Sequence, residues 1–104
     1  MTIKLEGLTK FDATDYLDSE EAVAAYLTEA VQEDDADSFI LALGTVARLR
    51  GMGQLARDAG LGRQNLYNAL APGKQPRYET IRKLVSALGL RLSVEAAPKA
   101  EAHG

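Results

Sequence analysis

Apolar residues recur three and four positions apart in five separate stretches of this chain. This spacing places them on one face of a helix, so each stretch predicts an amphipathic helix that packs on a shared core. The predicted helices cover residues 19–32, the segment from Asp35 or Asp37 to Gly51, and residues 54–59, 63–70 and 78–88.

The ends of these helices carry recognisable signals. Asp18 is expected to cap the first helix, because Glu21 lies three residues later and completes a capping box. Gly51, Gly60 and Gly89 each follow the last residue of a periodic stretch, where glycine commonly ends a helix.

The pattern changes to strict alternation over Leu90 to Glu95, which predicts a half-buried strand. A single strand needs a partner for its backbone groups. That partner is either the same segment of a second copy, which would make a homodimer, or Thr2 to Leu5 of the same chain.

A length of 104 residues fits one domain. The first 17 residues have scattered apolar positions without a period, and the chain from Ala96 onward is small, charged and typical of a frayed tail. We divide the chain into an acidic N-terminal arm and helix (1–35), a helical domain with the strand (36–95) and a flexible tail (96–104).

Charge divides the chain in two. Residues 1–44 carry two lysines against eleven carboxylates, a net −9, whereas residues 45–94 carry nine Lys or Arg against two carboxylates, a net +7. The basic part can hold a polyanion and the acidic part can meet a basic protein. A solvated surface with acids at helix starts is the alternative interpretation of the acidic part.

Several classes of function find no support. The chain has no cysteine, and its one histidine, His103, is in the tail, which argues against a metal or histidine-based catalytic site. Asp34 and Asp35 are adjacent and expected to be solvated, and no phosphate loop or nucleophile and base pair is present. We expect no enzyme and no cofactor. The absence of a signal-like apolar run at the start makes the cytoplasm the expected location.

Residues 54–59, the turn at Leu61 and Gly62, and residues 63–70 have the spacing of a helix-turn-helix, whose second helix enters the major groove of double-stranded DNA. Arginine can pair with guanine, and Gln or Asn with adenine. The predicted base contacts are Arg63, Gln64 and Asn68. The predicted backbone contacts are Gln54, Asn65, Tyr67, Lys74 and Arg77, although Tyr67 could equally serve packing.

Longer stretches of the sequence resemble known protein families. Gln54 to Leu61 followed by Arg63 to Leu70 resembles the Cro/repressor-type helix-turn-helix. A narrower similarity is to the HigA-like addiction-module antidote proteins, and it rests on Phe11-Asp12, Tyr16-Leu17, Tyr26-Leu27, Arg50-Gly51-Met52, Leu66-Tyr67, Pro76 with Thr80, and Ala87 to Val94.

The resemblance implies an all-α, five-helix, lambda-repressor-like domain with an N-terminal arm and a short C-terminal strand. It implies a type II antitoxin that neutralises a RelE/ParE-like toxin and represses its own operon, with Phe11, Tyr16, Leu17 and Tyr26 in the toxin contact. Gly53 and Gly62 depart from it, because the family tends to place a Ser or Thr cap at both positions. The alternatives are a stand-alone phage-type repressor without a toxin and a structural module with a vestigial motif.

Overall fold

The computed structural model describes residues 17–33 and 35–98 and contains five α-helices in that part of the chain. The prediction of an all-α fold with five helices is confirmed. The helices are α1 (Glu20–Val31), α2 (Ala36–Arg50), α3 (Met52–Ala59), α4 (Arg63–Ala69) and α5 (Tyr78–Ala87).

All the helices share one apolar core, in which α3 holds the central position. Helix α3 packs against α2, α4 and α5, while α1 packs against α2. Leu43, Leu55, Leu66 and Leu84 are fully buried and come from four different helices. Burying one such side chain stabilises the fold by about 1.5–3 kcal/mol, so the predicted apolar stripes are what bind the helices together.

The start of α1 differs from the prediction. Ser19, rather than Asp18, is the N-cap, and its hydroxyl accepts a hydrogen bond from the backbone N–H of Ala22 at 3.1 Å. This shift places alanine at the position where a capping box needs Glu or Gln, so Glu21 cannot complete one. Helix α2 begins as one of the two alternatives predicted, with Asp35 accepting from the N–H of Asp37 at 3.0 Å.

The turn between α3 and α4 is built by Gly60, whose φ of 72° lies in the left-handed region. The N–H of Leu61 donates to the carbonyl of Ala56 at 2.8 Å, and the N–H of Gly60 donates to Arg57 at 3.2 Å. These two bonds form a Schellman motif, which glycine permits without strain. Helix α3 therefore ends at Ala59, and α4 begins four residues later at Arg63.

Two details of the predicted core and caps are wrong. Helical spacing in the second predicted helix places Leu49 with its apolar residues, but Leu49 is 44% exposed. Helix α3 begins at Met52 after Gly51, so Gly53 lies within the helix and is not its cap. Gly62 does precede α4 as its N-cap and makes no side-chain capping bond.

The predicted strand at residues 90–95 is absent from the part of the chain that the structure describes. Residues 90–98 form neither helix nor strand. A strand requires backbone hydrogen bonds to a neighbouring strand, and no described strand lies beside this segment. Thr2 to Leu5, the predicted partner within the chain, lies outside the described residues. Among the described helices, none is long and apolar enough to cross a membrane.

Candidate nucleic-acid interface

Helix α4 separates its side chains into a buried side and an exposed polar side. Leu66 is fully buried, and Leu70, which follows the helix, is buried as well. The exposed side of α4 carries Arg63, Gln64, Asn65, Tyr67 and Asn68. All three predicted base-contacting residues therefore lie on one solvent-facing surface, which is held in place by the leucine anchors.

Arg63 and Tyr67 form a pair one helical turn apart on this surface. The guanidinium carbon of Arg63 lies 5.5 Å from the centre of the Tyr67 ring, and its Nη2 is 3.5 Å from the Tyr67 hydroxyl. A cation over an aromatic face at this distance is a favourable contact. Tyr67 is 43% exposed, so its ring contributes little to the core.

Gln64 and Asn68 form a second pair beside the first. The Nε2 amide of Gln64 donates to Oδ1 of Asn68 at 3.5 Å, a long bond at the limit of the geometry. Because such a bond is weak and exposed, both amides are free to exchange it for another partner. The side chain of Asn65 lies beside the start of α4. Its Nδ2 is 3.6 Å from the position that a Cβ atom on Gly62 would occupy.

Gln54 forms two side-chain hydrogen bonds within its own helix. It is the third residue of α3, and its Nε2 donates to Oδ1 of Asp58 at 2.8 Å. Its Oε1 accepts from Nη2 of Arg57 at 2.9 Å. Both ends of the amide are thus bonded within α3, while the second N–H of Nε2 remains available to a phosphate.

The loop before α5 carries the other predicted backbone contacts. Lys74 and Arg77 are both exposed, and Arg77 is the N-cap residue of α5. Lys74 lines a groove together with Glu33, Asp35 and Asp37 from the corner between α1 and α2. The acidic corner therefore lies next to this basic loop, a proximity that the one-dimensional charge pattern did not predict.

Other cations in the basic part lie on different elements. Lys83 is 3.7 Å from Glu79 along α5, an exposed ion pair of little energetic weight. Arg48 and Arg50 end α2, where positive charge complements the helix dipole. These residues have ordinary structural explanations.

The predicted toxin contacts fall in different places. Phe11 and Tyr16 lie outside the described residues, and Leu17 and Tyr26 are half-buried against the core. Tyr26 lines a groove between α1 and α2 that also contains Leu41, which is 58% exposed. Leu41 was not among the contacts predicted from the sequence. The sequence did contain a sign of this, because Leu41 is an apolar residue that helical spacing places beside the buried face of α2 and not on it.

Among the described residues, no group of three His, Cys, Asp or Glu side chains could hold a metal ion together.

Comparison with known proteins links nearly the whole chain to one family. Residues 7–96 match the family described as "Probable addiction module antidote protein". An "Uncharacterized protein" of Haemophilus influenzae (strain Rd) is 43% identical over 90 residues, which is 86% of this chain and 93% of the relative. No solved structure matches the chain at a significant level.

Proposed function

This chain belongs to the probable addiction-module antidote protein family, and we propose that it is the antitoxin of a type II module that neutralises a RelE/ParE-like toxin. In the same proposal it binds operator DNA as a homodimer and represses its own operon. Two surfaces divide these tasks. Helix α4 contacts DNA, and the acidic groove between α1 and α2 binds the toxin.

The observation that carries the DNA proposal is the exposed polar face of α4 above its buried Leu66. Arg63, Gln64 and Asn68 are long enough donors and acceptors to read base edges from a helix in the major groove. Each good bidentate contact gives about 1–3 kcal/mol of discrimination between bases. Lys74 and Arg77, which lie in the loop after α4, contact the phosphates that flank these bases and supply affinity without sequence preference.

A homodimer follows from the geometry of double-stranded DNA. One α4 of seven residues reads only a few base pairs. Two copies related by a two-fold axis place their α4 helices one DNA turn apart, about 34 Å, and read two half-sites.

The distribution of acids along α1 supports the toxin surface. Glu20 and Glu21 lie in the first turn, where the helix dipole favours carboxylates, and need no further explanation. Glu29 lies in the last turn and Glu33 just beyond it, where the dipole disfavours negative charge and the helix has no basic residue. Acids in this unfavourable position fit a role in contacting a basic partner.

The groove beside these acids provides the apolar part of the contact. Glu29 and Glu33 line it together with Tyr26 and the exposed Leu41. An aromatic ring and an apolar side chain rimmed by charges are typical of a protein interface. Because α1 packs against α2 whereas α4 packs against α3, the toxin groove and the exposed face of α4 belong to different helix pairs. The two surfaces adjoin where Lys74 lines a groove with Glu33.

The toxin role is tested by expressing the small open reading frame beside this gene in a bacterial host, with and without this chain. We expect growth arrest that this chain relieves, and a complex of the two proteins on purification. A well-expressed neighbour that is harmless and does not bind would leave the stand-alone repressor as the function.

The DNA role is tested separately by titrating the purified chain onto its own upstream DNA and onto a scrambled sequence at two salt concentrations. We expect tighter binding to the upstream DNA at both. Equal binding to the two sequences would reject operator recognition, whatever the toxin experiment gives.

A further inference from the structure

The segment from Leu90 to Ala96 is chemically symmetric about Ser93. Reading outward from Ser93, Leu92 matches Val94, Arg91 matches Glu95 with opposite charge, and Leu90 matches Ala96. In an antiparallel pair of identical strands centred on Ser93, each residue would meet its match from the other copy. The order Leu-Arg-Leu-Ser-Val-Glu-Ala is thus complementary to itself.

Within the part of the chain that the structure describes, the backbone of this segment is largely without hydrogen-bond partners. The N–H of Leu90 donates to the carbonyl of Val85 at 3.1 Å, and Leu90 packs against the core. Beyond that anchor, no backbone hydrogen bond joins residues 91–98 to any other described residue. Residues 91–98 are all exposed, and the side chain of Val94 is 99% exposed. A row of N–H and C=O groups that no residue of 17–33 or 35–98 pairs with is a template for strand addition.

We infer that a second copy of this chain pairs with residues 90–96 as an antiparallel strand centred on Ser93. Arg91 then lies opposite Glu95 of the second copy, and Leu92 opposite Val94 of the second copy, each contact occurring twice across the two-fold axis. The alternating pattern, which has no ladder within the described single chain, forms one only in the dimer.

Charge and polarity select this register over its neighbours. Moving the centre half a residue toward Leu92 places Leu90 opposite Glu95 and Arg91 opposite Val94. Moving it half a residue toward Val94 places Leu92 opposite Glu95 and Arg91 opposite Ala96, so both shifts mix apolar with charged side chains. Moving it by a whole residue to Leu92 leaves Arg91 opposite Ser93 and Glu95 outside any pairing with Arg91. Strand register is set by such matching, so the Ser93 centre is the favoured one.

The inference specifies the interface of the homodimer proposed above, and it holds independently of the toxin. It is tested by charge reversal, using sedimentation equilibrium at low salt to measure the dimer dissociation constant. Arg91→Glu and Glu95→Arg each place like charges opposite one another, and each should raise that constant about tenfold or more. Mixing the two single variants, or combining both in one chain, restores opposite charges and should return the constant to the wild-type value.

Val94→Asp with Leu41→Asp as its control separates this interface from one on the helices. Val94 is almost wholly exposed, so Val94→Asp should keep the helical circular dichroism while shifting the protein toward the 11.2 kDa monomer. Leu41→Asp alters an exposed leucine on α2 and should leave the dimer intact.

Three results would overturn the inference. They are a wild-type protein that stays monomeric at all concentrations, a dimer that neither charge reversal nor Val94→Asp weakens, and a dimer that Leu41→Asp alone dissociates. In any of these cases, the DNA titration still reports independently on operator binding.

Discussion

The guanidinium of Arg63 rests on the ring of Tyr67, with 5.5 Å between the guanidinium carbon and the ring centre. Both residues lie on the exposed side of α4 and neither is needed to fill the core. An exposed cation–π contact contributes about 0.5–1 kcal/mol, enough to restrict the arginine without fixing it. Tyr67 therefore holds Arg63 along the surface of α4.

Replacing Arg63 by alanine is expected to remove sequence discrimination more than affinity. Removing the hydrogen bonds between one arginine and a guanine in the major groove costs about 1–3 kcal/mol, or roughly tenfold to a hundredfold in the ratio of operator to scrambled DNA binding. Fluorescence anisotropy on the two sequences measures that ratio. Arg48→Ala, at an exposed arginine in the last turn of α2, is the control and should leave the ratio unchanged.

Tyr67→Phe refines the same experiment, because it keeps the ring under Arg63 and removes only the hydroxyl. Unchanged binding would assign Tyr67 to supporting Arg63, whereas a uniform loss on all sequences would assign its hydroxyl to a phosphate. An Arg63→Ala variant that bound both DNAs less tightly, with the same ratio as wild type, would contradict its role in base contact.

Lys74→Ala should act in the opposite way and weaken binding to every sequence about equally. The slope of log affinity against log salt is negative, and removing one lysine contact with a phosphate reduces its magnitude by about 0.9. Titrations at several salt concentrations give the slope. Lys83→Ala is the matched control, since Lys83 is an exposed lysine already paired with Glu79. If Lys83→Ala changed the slope as much as Lys74→Ala, the loop would have no special role in binding the backbone.

The helices and their inward faces were predictable because spacing alone determines which residues share a helix face. The same spacing places Leu66 and Leu84 on inward helix faces, and both are fully buried. Effects that depend on a few ångströms were not predictable. The choice of Ser19 over Asp18 as a cap depends on which residue has the extended backbone, and the bonds that occupy Gln54 depend on side-chain rotamers.

The strand at residues 90–95 was a different kind of error. Its alternation is real, but a strand exists only with a neighbour, and no strand lies beside it among the described residues of the single chain. Likewise, the nearness of Lys74 to Asp35 arises from the way the loop before α5 returns to the start of α2, which sequence distance conceals.

The two glycines that flank the turn before α4 should respond oppositely to substitution. Gly60→Ala places a Cβ in free space but forces φ of 72° on an L-residue, at a cost of roughly 1–2 kcal/mol. Gly62→Ser adds a capping hydroxyl at φ −70°, which any residue adopts, and should stabilise by a few tenths of a kcal/mol, about 1–3 °C in Tm. Thermal unfolding followed by circular dichroism measures both. A stabilising Gly60→Ala would show that the turn relaxes out of the left-handed conformation.

Glu29→Lys is expected to stabilise the free protein while weakening its complex with the toxin. In the last turn of α1 a positive charge complements the dipole that a carboxylate opposes, which gives about 0.3–1 kcal/mol of added stability. At a surface facing a basic partner, the same reversal introduces repulsion, so association should slow, most clearly at low salt.

Glu20→Lys is the matched control for this reversal. It makes the same charge change at the other end of the helix, where it should destabilise by a similar amount and leave toxin association unaltered. Chemical denaturation gives the two stabilities, and stopped-flow mixing with the toxin gives the two association rates. If Glu29→Lys raised stability without slowing association, the acids at the end of α1 would have no part in toxin binding, and the proposed contact would lie elsewhere on the chain.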